Sequence, residues 1–198
     1  MLDETVTDYS VSPRQGSAWV GSGANGRVFR LQSGKVIKVV VGKRSEEVER
    51  EYNSMERCLS LEGINAFVFP IIVGSYRRGS IREVDYAGYI LACEGVQILP
   101  PVAPDIKRKL AEALYGLHAN QIIHGDPRIQ NALLLDGDVK WIDFREIDFV
   151  TTKVNRRRDV EVLLESLGGN VIGAKEQITL YVDFPSVDNL YGVICQVK

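Results

Sequence analysis

Apolar and polar positions alternate along this chain in two periods. Short runs read as strands: Val28–Leu31, Lys35–Val41, Ala66–Val73, Tyr86–Cys93, Ala132–Leu135 and Val139–Ile142. Each is bounded by Gly, Pro, Asn, Asp or Ser, the residues that break regular structure. Two segments carry the helical period instead. Val48, Tyr52, Met55 and Leu59 form one stripe behind Ser45, a plausible N-cap followed by Glu46 and Glu47. Ile106, Leu110, Ala113, Leu114 and Leu117 form another, from Pro104 or Asp105 to about Ala119. Arg156–Leu167, stopped by Gly168-Gly169, predicts a third helix, and Lys175–Val182 a short fourth. A closing segment carries Tyr191. Residues 1–16 are polar and predict an arm or loop. Gly74–Val84, with Arg77, Arg78 and Arg82, reads as a solvated loop. Pro70 suggests an edge position or a bulge.

Asp136-Gly137 between two apolar runs is the local signal of a tight β-hairpin. Such a hairpin brings the loop before one strand beside the loop after the other. Asp126, Asn131 and Asp143 would then converge. Two carboxylates and an amide oxygen suit a hard divalent cation such as Mg²⁺.

Composition narrows the class. The chain has 198 residues, 45% hydrophobic and 25% charged, which favours one globular domain with room for two lobes. A net charge of −2 gives no general basic field for nucleic acid or an anionic membrane, so neither is expected as a partner. Cys58, Cys93 and Cys195 show no metal spacing and read as reduced thiols, implying a cytoplasmic setting. Met1-Leu2-Asp3-Glu4 lacks a signal-peptide pattern, and no run approaches the about 18 apolar residues of a spanning helix.

Gly21-Ser22-Gly23-Ala24-Asn25-Gly26 is a G-x-G-x-x-G run. Alone it is weak: it serves dinucleotide-binding folds and plain hairpin turns alike. Here it lies between strand-like runs rather than at the start of a helix, which points to an antiparallel sheet. Lys38 sits inside Val36-Ile37-Lys38-Val39-Val40. An unpaired buried ammonium is costly, so Lys38 either reaches solvent or meets a phosphate and a carboxylate. Glu51 and Glu56 flank the first helical stripe, and geometry does not choose between them.

Taken together, these motifs resemble those of protein kinases. His124-Gly125-Asp126-Pro127-Arg128-Ile129-Gln130-Asn131 is similar to their catalytic loop, and Asp143-Phe144-Arg145 to their metal-binding D-F-G. The resemblance implies an α+β, bilobal protein kinase-like fold: an N-terminal antiparallel sheet plus helix over residues 1–96, and a truncated, mainly helical lobe over 97–198. It implies ATP and Mg²⁺ as cofactors and a protein serine/threonine substrate. Gly21, Gly23 and Gly26 would cover the phosphates, with Val36 in the place of the family's alanine. Lys38 would pair the α/β-phosphates, held by Glu51, with Glu56 as the alternative. The backbone of Glu94 to Val96 would meet adenine, with Cys93 behind it. Asp126 would orient the attacking hydroxyl, Arg128 would touch the γ-phosphate, and Asn131 and Asp143 would hold the metal. Asp159 would brace the catalytic-loop backbone.

The chain also departs from the pattern. Gly125 replaces an arginine, Arg145 a glycine, and no A-P-E-like segment follows. The Gly after His124 is also similar to aminoglycoside and choline phosphotransferases, so small-molecule acceptors stay open, as does a pseudokinase scaffold. The small size resembles minimal kinases that pathogens deliver into host cells, a fold-level expectation only.

Overall fold

The computed structural model describes residues 18–23, 26–31, 33–41, 45–81, 83–144 and 152–197. The expected N-terminal arm, Arg82 and Arg145 lie outside them. The chain forms two compact units. One comprises residues up to Tyr52 together with Pro70–Glu94, and the other Asn53–Phe69 with Gly95 onward.

The first unit is built on a five-stranded antiparallel sheet. Its strands are β1 (Ala18–Gly23), β2 (Gly26–Arg30), β3 (Val36–Val41), β4 (Arg77–Ile81) and β5 (Val84–Leu91), in the order β1-β2-β3-β5-β4. β3 lies at the centre and is the most apolar, as burial requires. Val36, Ile37 and Val40 are buried with Ala87, Ile90 and Leu91 of β5. Helix α1 (Ser45–Leu59) follows β3. Val48, Tyr52 and Met55 are buried as the stripe predicts. Cys58, rather than Leu59, takes the last buried place.

One expectation is corrected here. The Gly74–Val84 stretch is not a loop throughout: Arg77–Ile81 is strand β4, with Arg78 opposite Ala87 and Gly79 opposite Tyr86. Its composition hid it. β4 is an edge strand, where charge keeps other strands from pairing, so apolar alternation is not needed. Arg78 and Ser80 face solvent, while Arg77 donates to the carbonyls of Gly74 and Tyr76.

The second unit combines a small sheet with helices. β6 (Val96–Gln97) pairs with β7 (Ala132–Leu135), which pairs with β8 (Asp138–Trp141). The β7–β8 turn is the predicted Asp136-Gly137, with φ of 53° and 85°. Both values are left-handed, which is the hairpin turn that fits strand twist. Helices α2 (Pro104–Ala119), α3 (Lys153–Ser166), α4 (Lys175–Asp183) and α5 (Val187–Ile194) complete the unit. Leu110, Leu114, Leu117, Leu163, Ile178, Tyr181, Leu190 and Val193 are buried among them. α3 starts three residues earlier than expected, because Thr152 accepts from the Asn155 amide and caps it. The closing segment is itself a helix, capped by Ser186 on the Asn189 amide.

Register around Lys38 depends on a close backbone approach. A Cβ on Gly88 would lie 2.5 Å from the Lys38 carbonyl oxygen. Gly88→Ala should therefore force β3 and β5 apart, costing about 1–3 kcal/mol. Thermal unfolding is expected to show a melting point several degrees lower, and an unchanged melting point would refute the close packing.

Candidate functional site

In the first unit, Lys38 is 6% exposed and its Nζ lies 2.8 Å from both carboxylate oxygens of Glu51. Glu51 is 8% exposed, on the buried side of α1. Of the two glutamates left open by helical spacing, Glu51 is the one that meets Lys38. A buried ammonium and carboxylate in this geometry cancel a charge that neither could carry alone out of water. The hydroxyl of Tyr89, on β5 directly opposite Lys38, donates to Glu51 Oε1. Val36 shares the Lys38 face of β3 and is buried. Gly21 and Gly23 lie on β1 and Gly26 opens β2, with Gly23 paired to Gly26. The run therefore joins two antiparallel strands and opens no helix. Ala24 and Asn25 are outside the described residues. Glu94 is exposed and bound through both oxygens by Arg30, at 2.6 and 2.7 Å.

In the second unit, Val96 pairs with Leu134 and its side chain is exposed. Gly95 precedes it, where a Cβ would fall 2.6 Å from the Phe69 ring and 2.8 Å from Leu133. The catalytic-loop stretch leaves α2 through Gln121. His124 is fully buried, stacked on Phe144 at 4.4 Å and edge-on to Trp141 at 5.1 Å. Asp159, 1% exposed on α3, accepts from the amides of His124 at 2.9 Å and Gly125 at 3.0 Å. His118 Nε2 lies 3.2 Å from the same carboxylate, and its Nδ1 lies 2.7 Å from the Tyr181 hydroxyl. A neutral ring donating from Nε2 and accepting at Nδ1 satisfies all three groups.

Beyond this brace the loop is tied to itself. The Asp126 carbonyl accepts from the Arg128 amide at 2.8 Å and the Asn131 side-chain amide at 2.9 Å. The Asp126 carboxylate meets Arg128 Nε at 2.9 Å. The Asn131 carbonyl accepts from the Ile142 amide at 2.9 Å, which joins Asn131 to the residue preceding Asp143. Asp143 has φ of 59°, a left-handed conformation uncommon outside glycine. The Ser166 hydroxyl accepts from Ile129 at 3.0 Å and ties the end of α3 to this loop.

Asn131 and Asp143 carry oxygen donors of the kind a hard cation would take. With its side-chain nitrogen on the Asp126 carbonyl, Asn131 has its amide oxygen as the ligand atom, and Asp143 supplies a carboxylate. Among the described residues no group of three His, Cys, Asp or Glu side chains could hold a metal unaided. A Mg²⁺ here would depend on phosphate oxygens and water for its other ligands. Sequence reasoning missed Tyr89, Tyr181 and Ser166. Their partners become apparent only once strand register and helix packing are known.

Comparison with known proteins bears on the class. No family model matches the chain. It is 27% identical over 180 residues to a "Probable bifunctional tRNA threonylcarbamoyladenosine biosynthesis protein" of Methanoculleus marisnigri, covering 88% of this chain and 32% of that protein. A protein of the same name from Methanospirillum hungatei is 28% identical over 162 residues, covering 80% and 30%. The chain thus spans about a third of the length of these relatives. Among solved structures it is similar to WaaP in complex with acyl carrier protein, with a TM-score of 0.51 at 16% identity, covering 92% of this chain and 86% of that one. The fold is kinase-like: an antiparallel sheet with its helix, followed by a reduced, mainly helical unit. Among the described residues no helix is long and apolar enough to cross a membrane. The names of the relatives lend no support to delivery into a host cell.

Burial holds both imidazoles of the chain, His118 and His124, below the usual histidine pKa, with Asp159 partly opposing the shift. An unfolded chain takes up protons on both rings below about pH 6.5, while the folded chain resists. Stability should therefore be level above that pH and fall as the solution is acidified through it. Urea midpoints at a series of pH values test this; a midpoint unchanged between neutrality and mild acid would contradict it.

Proposed function

We propose that this chain is an ATP- and Mg²⁺-dependent phosphotransferase, with a protein serine or threonine hydroxyl as its acceptor. The observation that carries the reading is the Lys38–Glu51 pair. In this reading the buried ammonium, fixed on a carboxylate inside a sheet, serves to hold phosphate oxygens. In this reading the glycine run from Gly21 to Gly26 lets backbone approach the phosphates without a Cβ in the way. Lys38 orients the α- and β-phosphates. The backbone from Glu94 to Val96 meets adenine. Asn131 and Asp143 would hold Mg²⁺, which would supply charge neutralisation at the phosphates. Asp126 orients the acceptor hydroxyl and takes its proton, and Arg128 can leave the Asp126 carboxylate for the transferred phosphoryl group. The rate gain comes from position and charge compensation more than from covalent help.

The names of the relatives favour a second reading. There, ATP turnover by this fold would serve tRNA threonylcarbamoyladenosine biosynthesis, with any phosphoprotein a by-product.

Incubation with Mg-ATP, followed by ADP measurement and phosphopeptide mass spectrometry with and without tRNA, separates the two. Phosphate on serine or threonine supports the first. ADP release without phosphoprotein, raised by tRNA or its modifying partner, supports the second. Turnover only with a small alcohol or amine would overturn both in favour of a small-molecule kinase. Asp143→Ala and removal of Mg²⁺ with EDTA should each reduce any true transfer to background. Activity surviving in either case would sink the site assignment.

A further inference from the structure

The strand β5 run Tyr86–Leu91 contributes more than core. Tyr89 is fully buried, and its Cα is paired with that of Lys38 across the β3–β5 ladder. Its hydroxyl reaches the same Glu51 oxygen that Lys38 binds. An ionised carboxylate only accepts, so the phenol is the donor. Its ring lies against Tyr52, one residue after Glu51 on α1, at 5.7 Å between centroids. Tyr52 in turn stacks on Tyr76 at 5.6 Å, and its hydroxyl accepts from the Gly74 amide at 2.6 Å. The helix position that carries Glu51 is thus fastened to β5 and to the segment leading into β4, and Lys38 is fastened to Glu51 from the strand alongside.

We propose that Tyr89 is a positioning residue that keeps Glu51 on Lys38 in the absence of nucleotide, so that the phosphate-holding pair is permanently assembled. A Lys–Glu pair held only by its own two side chains can part when its helix swings. Here a third, fully buried donor stands on the strand beside the lysine. Separation would break the Tyr89 hydrogen bond to Glu51 and the Lys38–Glu51 ion pair in a buried place. The inference deepens the phosphotransferase reading and rests on it only for its kinetic arm.

The test begins with nucleotide-free protein and a water-soluble amine reagent, trinitrobenzenesulfonate, with labelling read at each lysine peptide. Lys38 should react at least about tenfold more slowly than Lys153, which is exposed and paired with Asp183 at the surface. Tyr89→Phe keeps the ring and removes the donor. It should raise Lys38 labelling about fivefold without changing that of Lys153, and lower kcat for ATP turnover about tenfold with little change in KM. Faster Lys38 labelling supports the proposal even where no turnover is found, in which case only the functional reading fails. Unchanged Lys38 labelling in Tyr89→Phe overturns it, whatever the turnover. Should Tyr89→Phe fail to fold, the native protein decides. Protection of Lys38 already complete without Mg-ATP supports a permanent pair, and protection that appears only with Mg-ATP overturns it.

Discussion

A carboxylate taken out of water must be met by donors, and Asp159 is met by three. Two of them are consecutive backbone amides, those of His124 and Gly125. The position of the whole Asp126–Asn131 loop follows from that. The third donor, His118, is held by Tyr181 of α4. A residue on α3 therefore fixes the loop, a residue on α2 fixes that carboxylate, and a residue on α4 fixes the imidazole. This explains how so short a set of helices can hold the loop: α2, α3 and α4 each supply a buried polar group as well as apolar surface. Asp159, His118, His124 and Tyr181 are nearly or wholly buried, so loss of one partner leaves the others unsatisfied, at a cost well above that of an ordinary hydrogen bond.

The first unit solves a similar problem with a different set of donors. There the buried charge is cationic, and Glu51 answers it from a helix rather than from the sheet. Burial on both faces makes β3 a continuous apolar run in which the lysine is conspicuous. That contrast made Lys38 legible in the sequence. The same logic made the Asp136-Gly137 hairpin legible, since two successive left-handed residues need the residue types found there. Helices with a clear stripe, α1 and α2, were equally plain.

What could not be read has physical causes. Strand β4 carries arginines because it is an edge, and an edge strand is stabilised by backbone pairing that leaves little trace in side-chain pattern. The start of α3 depends on a threonine cap four residues ahead of the arginine run at 156–158. Glu51 and Glu56 flank the same stripe of α1 from opposite sides, about 140° apart, and only the placement of Lys38 against the helix picks Glu51. By burial Tyr89 is a core aromatic. Its hydroxyl becomes informative only when Lys38 stands opposite. Partnership across strands is a property of register, and register is set by contacts far apart in the chain.

Gly125 brings these strands of argument together. In the protein-kinase pattern an arginine stands there, and its absence first reads as the loss of a phosphate receiver. The backbone gives a second reason. Gly125 has φ of 83°, where a side chain is strained by Cβ contacts. Asp159 draws the amides of residues 124 and 125 onto one carboxylate, with Asp126 next in the chain. In this geometry an arginine at 125 would carry a backbone penalty as well as its charge. The residue type is therefore set by the shape of the brace before any question of regulation arises.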